Sequence, residues 1–364
     1  MKRIGKLKTR FFNLETIYEV IDKLHKKKNR WSPRIAELWA KLDSDPYTAL
    51  NILDKLLNMT YTPGPFNVFY RMESGKKRQI FASDPYDLIF DGILDVALKY
   101  VFMEKRRIIH PHAYGSIKNK GYHKVRNLVV GKIRKYSGPG ELYAISLDTK
   151  KYYPTIDQDV LISLLKKYIK DKWILWLAET IIKRNSSGLA LGLASSNILG
   201  HLYHSLVDWE ITPGYGVKNY YRFCDDMIIF STDKYYLRGI AQALESLTTN
   251  SLHQTIKSWK IVNLSRKEFI TFLGCTFNIH SIRLKKRRLI EWRMKEELKK
   301  SYNPKRIISS WCGMRGGFKT FPIEDLLYSW KIYKFPEYFT RLSLALAENH
   351  KQRILQRYYE NAFK

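Results

Sequence analysis

The sequence predicts an α+β fold, on three observations. Apolar residues recur at helical spacing over residues 11–60 and again in several later segments. Short runs rich in Tyr, Phe and Ile lie between these segments and are typical of strands. Two such runs, at 220–230, surround a pair of adjacent aspartates, as in a hairpin. The 364 residues contain no internal repeat or long linker, so we expect one multi-lobed unit with two or three subdomains.

The individual elements follow from the same patterns, taken in order along the chain. The helical spacing of residues 11–60 stops at a segment with Pro and Gly, 60–65. An aspartate followed by proline, Asp84-Pro85, is a capping signal that begins another helix. Strands are predicted at 66–70, 78–81, 142–147, 259–262 and 269–277. Further helices are predicted at 122–136, 157–170, 173–182, from the small-residue segment 188–197 through 209, at 235–247 and, with many basic residues, from 292 onward.

The chain carries a large excess of positive charge. Its 64 Lys and Arg against 34 Asp and Glu give a formal net charge of +30. Solubility does not require so much charge, and the excess indicates a polyanionic partner, above all nucleic acid. The 25 tyrosines add planar groups on which bases can stack. A membrane surface is the competing interpretation, but no amphipathic anchor and no apolar run of membrane-spanning length supports it.

The N-terminus and the cysteines indicate the cellular compartment of the protein. The basic N-terminus is not followed by the apolar core of a signal peptide. The three cysteines, Cys224, Cys275 and Cys312, are far apart and lack metal-binding spacing. Reduced thiols of this kind are typical of a cytosolic protein, so we expect a cytoplasmic location and no membrane partner.

Two adjacent carboxylates, Asp225 and Asp226, are predicted at the tip of the 220–230 hairpin. Aspartate is common in turns, and most such pairs have no other role. Two neighbouring carboxylates nevertheless repel each other, and a divalent metal bound to a nucleoside triphosphate would hold them together. A third carboxylate on another strand would distinguish a metal site from ordinary turn chemistry.

Asp148 is a candidate for that third carboxylate, because it ends the apolar strand 142–147. An ordinary strand-ending aspartate is the plainer alternative. If this strand pairs beside the hairpin, Asp148 and Asp225 converge and can hold two metals about 3.5–4 Å apart. One metal would activate a primer 3′-hydroxyl, and the other would neutralise the triphosphate and the leaving pyrophosphate. Asp226 would be a weaker or outer ligand, and the carbonyl of Thr149 would complete a metal shell.

These residues resemble the motifs of reverse transcriptases. Asp148 with Tyr153 resembles motif A, and Phe223-Cys224-Asp225-Asp226 resembles motif C. The small-residue segment 188–197 resembles motif B, where the backbone lies close to the template base and the incoming nucleotide. Residues 272–277 resemble the Phe-Leu-Gly hairpin of motif E, the primer grip. The motifs follow the family's order over most of the chain.

The resemblance implies a right-hand polymerase with fingers, palm and thumb, whose antiparallel palm sheet is flanked by helices. It implies an RNA-directed DNA polymerase that synthesises cDNA from template RNA, a primer and dNTPs by two-metal-ion nucleotidyl transfer. Two Mg²⁺ ions, or Mn²⁺ in their place, are the implied cofactors. The implied subdomains are an N-terminal basic helical region at 1–59, fingers at 60–140 and 158–200, a palm at 141–157 and 201–277, and a basic helical thumb and C-terminal tail at 278–364.

The resemblance also implies roles for single residues. Tyr153 would be the steric gate whose ring blocks a ribose 2′-hydroxyl. Lys77 and Arg78 would clasp the triphosphate, and Lys257 or Lys260 would supply the motif D lysine, a general acid for pyrophosphate. The implied catalytic residues and metal ligands are Asp148, Asp225 and Asp226, with Thr149 as a further metal ligand. The implied nucleotide-binding residues are Lys77, Arg78, Tyr153, Leu191, Asn197 and Lys257, and the implied primer grip is Phe272, Leu273 and Gly274.

Within the family, the chain is most similar to the reverse transcriptases of bacterial and phage diversity-generating retroelements. Ser196-Asn197 in motif B and Ser310-Trp311-Cys312-Gly313 in the thumb carry this similarity, and we expect no RNase H, integrase or endonuclease domain. That class implies error-prone copying, with errors at template adenines, and a small basic accessory protein or a structured non-coding RNA as partner. A stand-alone reverse transcriptase of a phage-defence system is the alternative.

A non-catalytic RNA-binding protein on a polymerase scaffold is a more remote alternative. It would explain the positive charge equally well. It gives no reason to keep Asp148, Asp225, Asp226 and Tyr153 together, because acidic residues weaken phosphate binding unless metal is present.

Overall fold

The computed structural model describes residues 3–27, 37–38, 40, 42, 45, 47–73, 76–136, 138–266 and 268–284. The chain divides into two compact units, Met1–Arg287 and Arg288–Lys364, and all of the described residues belong to the first. The predicted basic helices from 292 onward and the thumb motif at 310–313 lie outside the described residues.

Helices form where the apolar spacing predicts them, and aspartates begin several of them. Asp84 accepts a hydrogen bond from the backbone N–H of Tyr86 at 2.9 Å, and Pro85 follows it, which confirms the predicted start. Asp157 and Asp233 begin two later helices in the same way. The helices are α1 (Leu7–Phe11), α2 (Leu14–Lys27), α3 (Tyr47–Leu57), α4 (Pro85–Lys99), α5 (Tyr122–Arg134), α6 (Gln158–Tyr168), α7 (Lys172–Lys183), α8 (Ser195–Trp209) and α9 (Lys234–Leu252).

Three short helical turns of other types were not predicted from the sequence. A π-helical turn, Tyr100–Lys105, continues α4, and a second one, Glu210–Gly214, continues α8. A 3₁₀ turn, Tyr153–Thr155, follows the strand that carries Asp148. Turns of this kind leave no apolar periodicity of their own, so the sequence patterns do not reveal them.

The strands form three separate sheets. Strands β1 (Asn67–Glu73) and β2 (Lys76–Ala82) pair antiparallel as a hairpin. The central sheet has the strand order β3-β5-β6-β4-β7, and a third sheet has the order β10-β9-β8. The remaining strands are β3 (Ala113–Tyr114), β4 (Tyr143–Asp148), β5 (Tyr220–Phe223), β6 (Asp226–Ser231), β7 (Ile261–Asn263), β8 (Ile270–Phe272), β9 (Cys275–Phe277) and β10 (Ile282–Leu284).

The central sheet confirms the predicted antiparallel palm sheet flanked by helices, with one difference at its edge. The pairs β5–β6, β6–β4 and β4–β7 are antiparallel. The edge strand β3 pairs with β5 in parallel, in a segment that the sequence predicts as a loop. A strand of two residues is too short to show alternation, which is why the prediction missed it.

The core lies around α8, which packs against α4, α6 and α9, while α9 also covers β4 and β6. Met227, Ile228, Ile229 and Phe230 are all buried, so β6 is covered on both faces. A strand covered on both faces reads as an unbroken apolar run, which explains the apolar segment after the aspartate pair. Within the described part of the chain, no helix combines the length and the apolar character that crossing a membrane requires.

Candidate active site

The strand register brings the predicted carboxylates together. Strands β4 and β6 pair antiparallel, and Asp148 lies directly opposite Asp226. The tip of the hairpin consists of Cys224 and Asp225, whereas Asp226 is already the first residue of β6. Asp225 is therefore presented at the edge of the sheet where β4 ends with Asp148.

Electrostatics confirm that Asp148 and Asp225 are close to each other. Burial raises the pKa of Asp225, and the charge of Asp148 raises it further. Lys257 and Arg78 lower the pKa of Asp225, so both cations lie within electrostatic range of it. Asp148 and Asp225 thus repel each other and together attract positive charge.

Lys257 supplies one such charge, because its Nζ forms an ion pair with Oδ2 of Asp148. Its backbone N–H also donates to the carbonyl of Asp148 at 2.9 Å. The other carboxylate oxygen of Asp148, Oδ1, is buried and has no hydrogen-bond partner among the described residues. Of the two lysines that the motif D resemblance left open, the structure places Lys257 at the carboxylates.

The donor set fits a hard divalent ion. Such ions bind carboxylate and carbonyl oxygens, and the buried Oδ1 of Asp148 is an oxygen that lacks a protein donor. Thr149 follows Asp148 and is buried, and its hydroxyl also lacks a partner in the described part of the chain. No three His, Cys, Asp or Glu side chains are grouped for a metal within the residues that the structure describes. The candidate centre is therefore a carboxylate pair rather than a closed metal cage.

A buried ion pair fixes the hairpin from behind. Arg222 on β5 binds Asp208 on α8 through two contacts, Nε to Oδ1 at 2.8 Å and Nη2 to Oδ2 at 2.5 Å, and both side chains are fully buried. Tyr220 adds a hydrogen bond from its hydroxyl to Asp208 at 2.6 Å. The remaining nitrogen of Arg222, Nη1, donates to the carbonyl of Cys224 at 2.8 Å. The guanidinium thus connects the core helix to the residue that precedes Asp225.

Cys224 adopts a backbone conformation that favours glycine. Its φ is +53°, in the left-handed region, which costs about 1 kcal/mol for an ordinary residue. Its N–H donates to the carbonyl of Tyr114 at 3.0 Å, and its thiol packs on Gly115, where an added Cβ would lie 2.6 Å from the sulfur. Burial raises the pKa of the Cys224 thiol to about 11, so the thiol is neutral. The packing on β3 and the hydrogen bond from Arg222 hold this conformation.

Two of the predicted nucleotide-binding residues are in contact. The hydroxyl of Tyr153 donates to Oδ1 of Asn197 at 3.1 Å. Burial raises the pKa of Tyr153, and the neighbouring Cys224 and Asp225 raise it further, which places the phenol near the hairpin tip. The carbonyl of Tyr153 accepts from Leu189 at 2.9 Å, and Gly188 lies so close to that carbonyl that a Cβ would collide with it.

The segment that resembles motif B is anchored by a buried carboxylate from α4. Asp91 accepts hydrogen bonds from the N–H groups of Ala194 and Ser195, at 2.6 and 3.2 Å, and from the Ser195 hydroxyl. Burial raises the pKa of Asp91 to about 6, while these donors favour its charged form. Asp91 therefore fixes the start of α8 and, with it, the position of Asn197.

Strand β2 carries two of the predicted nucleotide-binding residues, Lys77 and Arg78, and contacts the segment that resembles motif B. The N–H of Phe81 donates to the carbonyl of Leu191 at 2.9 Å, and Gly192, with φ of +133°, lets the two segments approach closely. Lys77 and Arg78 lie on β2 with exposed side chains. The ammonium of Lys77 lies 4.3 Å from the ring centroid of Tyr70, and the charge of Arg78 lowers the pKa of Asp225.

The segment that resembles the primer grip is a tight hairpin. Leu273 and Gly274 both have positive φ, 47° and 71°, as the two central residues of a type I′ turn require. Phe272 and Leu273 are buried, and Tyr122 donates to the carbonyl of Leu273. Strand β8 of this hairpin packs next to β4, so the hairpin adjoins the strand that ends with Asp148.

Three residues that shape the site were missed by the sequence interpretation: Asp91, Asp208 and Arg222. Asp208 and Arg222 are single charges inside an apolar helix and an apolar strand, and Asp91 is one of three buried aspartates on the otherwise apolar helix α4. Such a charge is almost never fully buried unless it is paired, so its presence in an apolar run signals a partner elsewhere in the fold. The sequence contains this signal but does not identify the partner.

A central sheet with one carboxylate at a hairpin tip and a second at the end of the neighbouring strand, near Tyr153, defines the class of palm-domain polymerases. Residues 73–277 match the family described as "Reverse transcriptase (RNA-dependent DNA polymerase)", and this match covers more than half of the 364-residue chain. The chain therefore belongs to the reverse transcriptase family.

The chain is also similar to two known proteins over part of its length. The COX1/OXI3 intron 1 protein of Saccharomyces cerevisiae is 27% identical over 145 residues, which are 37% of this chain and 16% of that protein. The structure of telomerase from Candida tropicalis in complex with a TWJ fragment of telomeric RNA superimposes with a TM-score of 0.47 and 13% identity. That superposition covers 65% of this chain and 48% of the telomerase chain. The chain thus spans a small part of the first protein and about half of the second.

Proposed function

We propose that the protein is an RNA-directed DNA polymerase that extends a primer with dNTPs on an RNA template. The observation that carries the proposal is the meeting of Asp148 and Asp225 at one edge of the palm sheet, with Tyr153 beside them. An RNA-binding protein has no use for two half-buried carboxylates that repel each other and repel phosphate. A nucleotidyltransferase has such a use, since a triphosphate arrives with divalent metal.

Asp148 and Asp225 would hold Mg²⁺ or Mn²⁺, with Asp226 and Thr149 as outer contributors. When bound, the two ions would supply activation of the primer 3′-hydroxyl and neutralisation of charge on the triphosphate. The residues of the chain hold the two carboxylates in position. Arg222 fixes the carbonyl of Cys224, and the β4–β6 register fixes Asp148, so neither carboxylate has to be moved into position.

Lys257 is proposed as the proton donor to the leaving pyrophosphate. Its backbone is fixed to the carbonyl of Asp148, while its side chain is about two-fifths exposed and is held by a single ion pair. If Asp148 held a divalent metal, its carboxylate would be shared, and the Nζ of Lys257 would be free to leave it. Release of Nζ would leave a protonated ammonium next to the phosphates, where it can donate its proton.

Tyr153 and Asn197 are proposed to select deoxynucleotides. The hydrogen bond from Tyr153 to Asn197 fixes the direction of the phenol ring, and a fixed ring excludes an added 2′-hydroxyl more sharply than a mobile one. Lys77 and Arg78 would bind the triphosphate from the fingers, Leu191 would contact the nascent base pair, and Phe272, Leu273 and Gly274 would hold the primer.

Primer extension tests this proposal. The purified full chain with a primed RNA template, dNTPs and Mg²⁺ should give cDNA, and Asp225→Ala should abolish it. Asp54→Ala is the matched control, since Asp54 is an exposed carboxylate on α3 with no role at the site. Extension that survives Asp225→Ala would contradict the proposed site, and RNA binding without any extension would favour the non-catalytic alternative.

A narrower proposal is error-prone copying in a diversity-generating retroelement of bacterial or phage origin, in the cytoplasm. It is supported by the sequence of Ser196-Asn197 and of 310–313, together with the contact between Asn197 and Tyr153. Misincorporation should then be higher opposite template adenine than opposite the other bases. Equal error rates at all four bases would favour a phage-defence enzyme instead. The accessory protein or structured RNA belongs to the same narrower proposal.

A further inference from the structure

A cavity of about 900 Å³ lies between the N-terminal segment and the π-helical turn after α4. Four cations line it, Lys6, Arg10, Lys105 and Arg106, and Tyr100 forms its aromatic wall. No carboxylate lines the cavity among the residues that the structure describes. We call this feature the distal basic cavity.

The charges of the distal basic cavity are held close together. The guanidinium of Arg10 lies 4.2 Å from the ring centroid of Tyr100, and the ammonium of Lys105 lies 5.4 Å from the same centroid. Two like charges over one ring repel each other, and the ring offsets only about 0.5–1 kcal/mol for each at an exposed site. An anion in the cavity would remove this repulsion.

The walls of the distal basic cavity are fixed by hydrogen bonds. Ile4 exchanges backbone hydrogen bonds with the end of α6, donating to Tyr168 and accepting from Lys170, both at 2.8 Å. Asp171 accepts from the N–H groups of Leu7 and Lys8, at 2.7 and 3.0 Å, and so holds α1 in place. The opposite wall is the π-helical turn Tyr100–Lys105, a conformation that is frequent at functional sites.

The distal basic cavity is far from the nucleotide site. Helix α4 starts just after β2, whose Phe81 is hydrogen-bonded to Leu191. The other end of α4, 15 residues later, lies at the cavity. Such a helix is about 22 Å long. Helix α6 likewise starts where Gln158 donates to the carbonyl of Gly188 and ends at the cavity. The cavity cannot serve the triphosphate that binds between the carboxylates and the fingers.

We propose that the distal basic cavity binds the phosphate backbone of template RNA outside the polymerase site. This inference rests on the proposed function, because that function makes RNA the long polyanion that the protein handles. A phosphodiester strand supplies several negative charges in a row, which matches four cations around one cavity. An anionic membrane is the weaker alternative, since the apolar residues of α1, Leu7 and Phe11, are buried and leave no apolar face for lipid.

Binding of a long single-stranded RNA by the full chain, measured by fluorescence anisotropy over a range of salt concentrations, tests the inference. The variant Lys6→Gln/Arg10→Gln/Lys105→Gln removes three cavity charges. Each lost phosphate contact lowers the salt slope for a single strand by about 0.7, so three should lower it by about 2. At 0.15 M salt, that change corresponds to roughly fiftyfold weaker binding.

The variant Lys218→Gln/Lys234→Gln/Arg238→Gln is the matched control, because it removes three exposed positive charges elsewhere. It should bind RNA nearly as well as the unchanged protein. An equal loss in the two variants, or unchanged binding by the cavity variant, would overturn the inference. Cavity-dependent binding of phosphatidylserine vesicles with unchanged RNA binding would also overturn it, in favour of a membrane.

A short primer–template that cannot reach the cavity separates this inference from the proposed function. The cavity variant should extend it at the normal rate, which also shows that the variant is folded. Cavity-dependent RNA binding by a protein that extends no primer would contradict the polymerase proposal alone. Normal extension with cavity-independent RNA binding would contradict the cavity proposal alone.

Discussion

Asp208 and Asp225 are both withdrawn from water, but their surroundings are opposite. Burial alone would raise the pKa of Asp208, yet the charge and hydrogen bonds of Arg222 hold it well below its ordinary value. Asp225 forms no ion pair of this kind among the described residues, and its burial and the charge of Asp148 both raise its pKa, although the charges of Lys257 and Arg78 lower it. One carboxylate is satisfied by the protein, and the other is left in need of a cation.

The difference separates a structural carboxylate from a functional one. A group that is fully paired and hydrogen-bonded stabilises one arrangement and has nothing left to offer a ligand. A carboxylate that is held next to another negative charge can still bind a cation. Groups with such shifted pKa values cluster at functional sites. Arg222 links the two regions, because it pairs with Asp208 and also fixes the carbonyl next to Asp225.

The largest expected effect is the loss of catalysis on removal of a carboxylate from the functional pair. Asp148→Asn should lower the rate of primer extension about a thousandfold, because losing several kcal/mol of charge stabilisation has that consequence. Its free energy of unfolding should stay close to that of the unchanged protein, as measured by urea denaturation. A large loss of stability would mean that Asp148 is a structural residue like Asp208.

The structural pair should respond in the opposite manner. Asp208→Asn leaves the buried guanidinium of Arg222 without a counter-charge, and such changes cost about 3–5 kcal/mol. Urea denaturation should show this loss. The double variant Asp208→Leu/Arg222→Met should recover much of the stability without recovering full extension, because the Cys224 carbonyl would then lack its donor. A stable Asp208→Asn protein would contradict the assigned role.

The gate residue should affect selectivity more than rate. Tyr153→Val should reduce the preference for dNTPs over rNTPs by about 10–100-fold, since it opens space where the 2′-hydroxyl would lie. Tyr153→Phe is the matched control, because it keeps the ring and removes only the hydrogen bond to Asn197. Its preference for dNTPs should change by a few-fold. Equal effects of the two variants would mean that the hydroxyl, not the ring, selects the sugar.

The smallest predicted effect concerns pH and the buried histidine beside Arg222. Burial, and then the charge of Arg222, lower the pKa of His201 to about 3. The unfolded chain binds a proton near pH 6.5 and the folded one does not, so stability is unaffected above that pH and falls below it. The loss from His201 should be about 1.4 kcal/mol for each pH unit between 6.5 and 3.

The pH dependence of His201→Gln tests this assignment. Its free energy of unfolding should fall less steeply below pH 6.5 than that of the unchanged protein. Asp91, with a pKa raised to about 6, acts in the opposite direction in both proteins and cancels in the comparison. Parallel curves for the two proteins would show that His201 is protonated in the folded state.

Much of this architecture follows from local sequence patterns. Asp84-Pro85 caps a helix as predicted, and Asp157 caps the helix that was predicted from residue 157, because capping needs only residues that are close in sequence. The hairpin at 220–230 and the strand ending at Asp148 were also predicted, and their pairing confirms the expected meeting of the carboxylates. The roles of all the predicted site residues, from the carboxylates to the primer grip, stay predictions, as do the subdomain boundaries.

The sequence could not reveal contacts that depend on long-range register. Asp208 and Arg222 are both single charges in apolar segments, but no pattern says that they face each other. From the sequence, Lys257 and Lys260 were equivalent candidates for the motif D lysine. In the structure, the backbone N–H of Lys257 donates to the carbonyl of Asp148 and its side chain forms an ion pair with the same residue, so Lys257 is the lysine that lies at the carboxylates. The contact between Tyr153 and Asn197 likewise depends on how α8 packs beside the 3₁₀ turn.

The thermal stability of Asp225→Asn, with and without Mn²⁺, tests the central claim most directly. Because the pKa of Asp225 is raised in the folded protein, its charge lowers stability at neutral pH when no metal is present. The variant should therefore melt at a higher temperature than the unchanged protein in metal-free buffer. Added Mn²⁺ should stabilise the unchanged protein and not the variant, so the difference should shrink or reverse. Equal stabilisation of both proteins by Mn²⁺ would contradict the assignment of Asp148 and Asp225 as the metal-binding pair.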